Sequence, residues 1–259
     1  MPCRIRKRDE WTLRILLEAK LHVWSSFFTL TYDENSLPED GSLKVSDLQL
    51  FLKRLRKHFR TGAIRYFISG EYGPRTDRPH YHGVLFGVHP LVLEDSLDKA
   101  WKNGFTTVSS LTPQRARYVA KYTTKQALTS PLSGTTRKRE FSIQSRNPAL
   151  GVTYLPHVAA VLRHQINSGI IRVSRGGELR LPAILRVAGR CYPLSRELRQ
   201  HLRQLLDLPK AINRKGVLLT YDNQATLLLT HGDPDADNRA ADYRRAEQRF
   251  RIADMRAEL

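Results

Sequence analysis

The chain has 259 residues, 41% hydrophobic and 26% charged, enough for a proper core and the composition of an ordered soluble protein. Lys+Arg number 43 against 25 Asp+Glu, a net charge of +18 that suggests a polyanionic partner, nucleic acid ahead of acidic lipid. No apolar stretch approaches the ~20 residues needed to span a bilayer, Met1–Arg8 lacks the apolar run of a signal peptide, and Cys3 and Cys191 give no disulfide framework and fit a reducing cytoplasm.

Residues 9–23 read as a helix, with Leu13, Leu16, Leu17 and Leu21 on one stripe and Asp9 and Glu10 suited to its N-terminus. Phe27–Tyr32 is aromatic and β-branched, hence a strand. Ser46 and Gln49 form a capping box for a second helix, whose Leu48, Phe51, Leu52, Leu55 and Phe59 share one face. Strands near 64–71 and 79–87 enclose a loop rich in Gly, Pro and charge, the pattern of a hairpin with a long loop. A short helix near 91–101 and a strand near 105–109 follow. Thr112-Pro113 then gives an N-cap and a proline at the first helical position, opening a helix to about 127.

Hairpin-connected strands with helices laid on them predict an α+β fold around a central antiparallel sheet. Residues 1–130 are expected to form the main domain and 131–150, with Arg137-Lys138-Arg139, a basic linker or loop. Residues 151–259 are expected as a small mixed accessory region. It would hold a helix near 156–168, a hairpin near 170–184 around Gly176-Gly177, a helix near 194–207, and a charged C-terminal helix or tail.

Two patterns carry chemistry. His80 and His82 open a strand, and residues two apart face the same side with Cα atoms about 6.7 Å apart, close enough for both imidazoles to meet one ion. A hairpin returning in register brings the Glu71 carboxylate toward them, a two-nitrogen, one-oxygen set that leaves open positions for a substrate. On the helix from Pro113, Tyr118, Lys121, Tyr122 and Lys125 share one stripe, opposite Ala116, Val119, Ala120, Thr123 and Ala127. Helical spacing alone favours such tyrosines as core or rim aromatics with the lysines reaching past them. With a metal site in the same domain they become candidate nucleophiles, since a neighbouring ammonium favours the phenolate and a metal polarises the phosphoryl oxygen.

Taken together, these residues resemble the His-hydrophobe-His (HUH) endonucleases that initiate rolling-circle replication. The resemblance extends in particular to the replication initiators of the Microviridae, small single-stranded DNA phages, of the gokushovirus type. It runs in order through Phe28–Tyr32, Phe51–Arg56, Gly70–Gly73, Arg78–His82 and Tyr118–Tyr122, and more faintly Ser145–Pro148, about the first 150 residues. It implies an RRM-like sheet as the fold. It further implies Mg²⁺ or Mn²⁺ on Glu71, His80 and His82, nucleophiles Tyr118 and Tyr122, and Lys121 against the scissile phosphate. Arg78, Lys125, Arg137, Lys138 and Arg139 are candidate DNA contacts, with a solvated loop an equal reading of 137–139.

The implied activity is nicking and transfer of single-stranded DNA at a replication origin through a covalent 5′-phosphotyrosine, in the host bacterial cytoplasm and with no membrane partner. No Gly-Lys-Ser/Thr phosphate loop is present, so a host helicase and polymerase would be needed. The resemblance also leads one to expect a cysteine-containing segment ahead of the first helix, to which Cys3 would belong. Two alternatives stand beside this reading: a relaxase or transposase of the same superfamily, and a basic single-strand-binding protein without chemistry.

Overall fold

A computed structural model describes residues 2–60, 64–73, 76–121, 137–168, 181–208 and 226–228. A five-stranded antiparallel sheet is its centre, in the order β4-β1-β3-β2-β5, from β1 (Ser25–Tyr32), β2 (Arg65–Tyr72), β3 (Pro79–Phe86), β4 (Gly104–Ser110) and β5 (Phe141–Gln144). The fold is α+β, as the pattern of elements predicts.

The two sheet faces separate cleanly because side chains alternate along each strand. Phe28, Leu30, Tyr32, Ile68, Tyr81 and Leu85 bury one face under α2 (Val45–Phe59) and α3 (Pro90–Ala100). Phe67, Val84 and Phe86 bury the other under α1 (Pro2–Ala19) and α4 (Pro113–Lys121). Position 83 is glycine for a packing reason: a Cβ there would run into the Phe28 ring on the neighbouring strand.

Helix α1 is buried all round from Thr12 to Glu18, including Arg14 and Glu18, because a further layer covers its outer side. That layer holds α5 (Leu155–Asn167), the hairpin of β6 (Ile184–Val187) and β7 (Arg190–Pro193), and α6 (Arg196–Leu205). Strand β8 (Thr226–Leu228) pairs with β6 in parallel. The buried charges are matched. Arg14 meets Glu197 at 2.6 Å and the Ser195 hydroxyl at 3.1 Å, while Glu18 meets Arg65 at 2.7 Å and accepts from the Gly151 amide at 2.9 Å. No helix among the described residues is long and apolar enough to cross a membrane.

Three expectations change. Helix α1 begins at Pro2, not near Asp9, because the basic run is itself helix-favouring and Arg6 pairs with Glu10 one turn on at 3.2 Å. Ser46 lies inside α2. The N-cap is Lys44, whose side chain makes no capping bond and whose amide donates to the Tyr81 hydroxyl at 2.8 Å. Residues 141–144, inside the stretch read as a linker or loop, form β5 on the edge of the sheet beside β2. The helix near 156–168 and that near 194–207 correspond to α5 and α6. The Gly176-Gly177 turn and the charged C-terminus lie outside the described residues.

Candidate metal centre

Strands β2 and β3 pair in a register that sets Glu71 opposite His80 and Ser69 opposite His82. Strand β1, on the other side of β3, sets Thr31 opposite His80 and Thr29 opposite His82. Cross-strand partners share a face, so Glu71, His80 and Thr31 form one row and His82 and Thr29 the next. The first row continues onto β4 at Phe105, which pairs with Thr31 and is 69% exposed.

The side chains converge. Nε2 of His80 and Nε2 of His82 each lie 2.8 Å from Oε1 of Glu71, and one ligand atom from each of the three lies within 4.8 Å of the others. The second nitrogen of each ring is tied down: Nδ1 of His80 is 3.0 Å from the Arg78 carbonyl, and Nδ1 of His82 is 2.9 Å from Oγ1 of Thr29. The Arg78 carbonyl can only accept, so His80 carries its proton on Nδ1 when neutral and presents a lone pair at Nε2. Such outer hydrogen bonds are what fix the orientation of a metal-binding imidazole. Phe27 stacks on His82 with ring centres 5.8 Å apart. The donor set therefore fits a divalent ion held by Glu71, His80 and His82.

Glu71 is only 2% exposed. Burial on its own raises its pKa, but hydrogen bonds from His80 and His82, with the charge of His82 and the Tyr118 hydroxyl, hold it down at about 2. For His80 the balance runs the other way: burial lowers its pKa, and the Glu71 carboxylate overrides this to raise it.

Helix α4 starts as the sequence predicts, with Thr112 Oγ1 accepting from the Arg115 amide at 3.2 Å, and buries Ala116, Val119 and Ala120. Its opposite stripe carries Tyr118, 40% exposed, and the exposed Lys121. The Tyr118 hydroxyl donates to Oε1 of Glu71 at 2.9 Å and lies 3.4 Å from Nε2 of His82. Burial first, then the Glu71 charge and this hydrogen bond, push the phenol above its ordinary pKa. By contrast, the buried Tyr32 and Tyr81 hydroxyls bond to each other at 2.8 Å and serve the fold; Tyr32 also donates to Asp47 at 2.6 Å. Tyr122 and Lys125 lie outside the described residues.

The basic candidates divide. Arg78 pairs with Glu34 and donates to the Tyr32 carbonyl at 3.0 Å. Arg137 pairs with Asp77, donates to the Asp40 carbonyl at 3.2 Å and lies 5.0 Å over the Tyr72 ring, so it joins three loops. Lys138 and Arg139 are exposed. Thr29 and Phe27 were not singled out from the sequence as site residues. The available signal for Thr29 was a polar residue on a buried strand, on the face opposite Phe28 and Leu30.

Residues 25–127 match the family of the replication-associated protein ORF2/G2P. The replication-associated protein ORF2 of Spiroplasma virus 4 is 35% identical over 148 residues, covering 48% of this chain and 46% of that protein. The replication-associated protein VP4 of Bdellovibrio phage phiMH2K is 30% identical over 147 residues, covering 49% of this chain and 46% of that protein. The replication-associated protein ORF4 of Chlamydia phage 1 is 29% identical over 186 residues, covering 60% of this chain and 45% of that protein. The chain thus spans a little under half the length of the relatives it matches. No solved structure matches it. The segment 25–127, similar to the replication-associated protein ORF2/G2P family, contains Glu71, His80, His82 and Tyr118.

Proposed function

We propose that this protein is a divalent-metal-dependent, sequence-specific nickase and strand transferase of single-stranded DNA, initiating rolling-circle replication of a small phage genome. The observation that carries the reading is the Tyr118 hydroxyl, 2.9 Å from the Glu71 oxygen on which both imidazoles converge. A nucleophile and a metal-binding triad then meet at one atom. The names of the three phage relatives, all replication-associated proteins, support a role in phage replication.

Glu71, His80 and His82 would hold the ion, Mg²⁺ or Mn²⁺. When bound, it supplies Lewis-acid polarisation of the phosphoryl oxygen and a positive charge that offsets the effect of Glu71 on the phenol. The protein's own residues do the positioning. His80 and His82 are oriented through the Arg78 carbonyl and Thr29, and Tyr118 is aimed by its donation to Glu71. The Tyr118 hydroxyl gives up its proton and its Oη bonds to phosphorus as the P–O3′ bond breaks, one proton released for the one that the 3′ oxygen gains. The 5′ phosphate stays on the tyrosine, and the 3′ oxygen leaves and takes up a proton. The phosphodiester energy is retained, so the step can run backwards. Lys121 is assigned to the scissile phosphate, and Tyr122, one turn on from Tyr118, to the second transfer.

Residues 1–130 are assigned to the catalytic unit and 151–259 to an accessory region. Host helicase and polymerase would extend the nicked strand in the bacterial cytoplasm. The test is cleavage of end-labelled single strands tiling the protein's own replicon, with Mn²⁺ or with EDTA. One sequence cut only with metal supports the reading. No cut on any strand, despite salt-sensitive binding, makes this a DNA-binding protein without chemistry.

A further inference from the structure

A cleft of about 720 Å³ lies between the N-terminal half of α1, the turn after β5 and the start of α6, and the chemistry above does not use it. That volume is in the range of ligand sites. One wall is the half-buried Trp11, which packs against Phe67 with ring centres 5.4 Å apart. Lys7, Arg146 and Arg196 stand at the cleft, one from each of its three walls; all are exposed, and none pairs with an acid among the described residues. The two acids of the cleft are engaged already, Glu10 by Arg6 at 3.2 Å and Glu197 by Arg14 at 2.6 Å. The surplus charge is therefore positive.

Position in the fold gives the cleft a context. Phe67 and Glu71 are four residues apart on β2 and share a face, so the Trp11 wall lies on the same face as the metal centre, roughly 13 Å along the strand. We propose that this cleft holds the phosphodiester backbone of single-stranded DNA, with phosphates against Lys7, Arg146 and Arg196. It is a second contact for the strand processed at Tyr118, and it gives the region after residue 150 a task. The inference rests on DNA being the partner, not on cleavage.

Binding of a labelled oligothymidylate, followed by anisotropy across a salt series in EDTA, tests it without cleavage. The triple variant Lys7→Gln, Arg146→Gln, Arg196→Gln removes three contacts. Each contributes a slope of about 0.7 in log K against log[salt], so the slope shrinks by about 2 and affinity near 0.1 M salt falls on the order of a hundredfold. A control removing equal charge from exposed sites elsewhere, Lys53→Gln, Lys57→Gln, Lys102→Gln, changes affinity far less. Wild-type affinity and slope in the cleft variant overturn the proposal, as does an equal loss in the control. Displacement of the oligonucleotide by inorganic phosphate at matched ionic strength also overturns it, since that describes a monophosphate pocket. If the slope shrinks as expected while the wild type cuts no strand, the cleft stands and only the nickase reading falls.

Discussion

The Tyr118 hydroxyl and the Glu71 carboxylate share a 2.9 Å hydrogen bond, and the oxygen that accepts it is the one both imidazoles approach. Glu71, on β2, therefore links helix α4 to β3, the strand that carries both histidines. Substitution of Tyr118 separates two roles. Tyr118→Phe keeps the ring that meets His82 edge-on, with centres 4.9 Å apart, and loses only the hydroxyl. The expected outcome is unchanged Mn²⁺ affinity by calorimetry with loss of the covalent adduct at position 118.

The imidazole ligands depend on what holds them. Thr29→Val removes the oxygen 2.9 Å from Nδ1 of His82 and leaves the strand packing intact. Loss of such an outer partner costs about 10- to 100-fold in metal affinity. His80→Ala with His82→Ala abolishes tight binding altogether. With two nitrogen donors, the wild-type site is expected to bind Mn²⁺ or Zn²⁺ more tightly than Mg²⁺. Unchanged affinity in the double variant would remove the metal centre from the account.

Acid stability follows from Glu18. Burial raises its pKa, but His22, Arg65 and the Gly151 amide bring it down to about 2, below the ordinary value of 4.5. A depressed carboxylate stabilises the fold above the unfolded pKa, and the contribution is lost as pH falls from about 4.5 through about 2. At 2% exposure the shift corresponds to about 3 kcal/mol. Urea midpoints measured between these limits should fall less steeply for Glu18→Gln than for wild type. Glu71, also held at about 2, leaves part of the slope in place.

Gly83 faces the Phe28 ring across the strand pair, where a Cβ has no room. Gly83→Ala is expected to destabilise by about 1–3 kcal/mol through overpacking. Adding Phe28→Leu should recover part of the loss in a thermal melt; no recovery would place the strain elsewhere.

Arg137 and Arg139 are neighbours in sequence with different surroundings. Arg137 joins Asp77, the Asp40 carbonyl and the Tyr72 ring, whereas Arg139 is exposed. Arg137→Gln should cost on the order of 1 kcal/mol of stability. Arg139→Gln should leave stability unchanged and weaken DNA binding with a smaller salt slope. The reverse pattern would exchange their roles.

The convergence of Glu71, His80 and His82 was legible in the sequence because two simple rules meet there: alternation put His80 and His82 on one face, and the returning hairpin set Glu71 opposite His80. The small residues of α4 likewise announced which side of that helix is buried, leaving Tyr118 outward. What local pattern could not supply came from distant contacts. The amide at the start of α2 bonds to Tyr81, 37 positions away, so the nearby Ser46 was a misleading cap. Burial of α1 on every side depends on a layer contributed by residues after 150. Strand β5 is four residues long and follows a basic run, so it carries little period of its own, and its partner β2 defines it. Thr29 became a site residue only once the register placed it beside His82.

The central claim is that Tyr118 is the nucleophile at a centre built by Glu71, His80 and His82. The most direct measurement incubates the protein with single strands from its replicon and Mn²⁺, denatures the mixture, and maps any surviving adduct by mass spectrometry. The account predicts a metal-dependent adduct joining the Tyr118 oxygen to a 5′ phosphate, absent with EDTA and in His80→Ala with His82→Ala. A cut strand with no adduct on Tyr118, or an adduct that forms as well without metal, would contradict it.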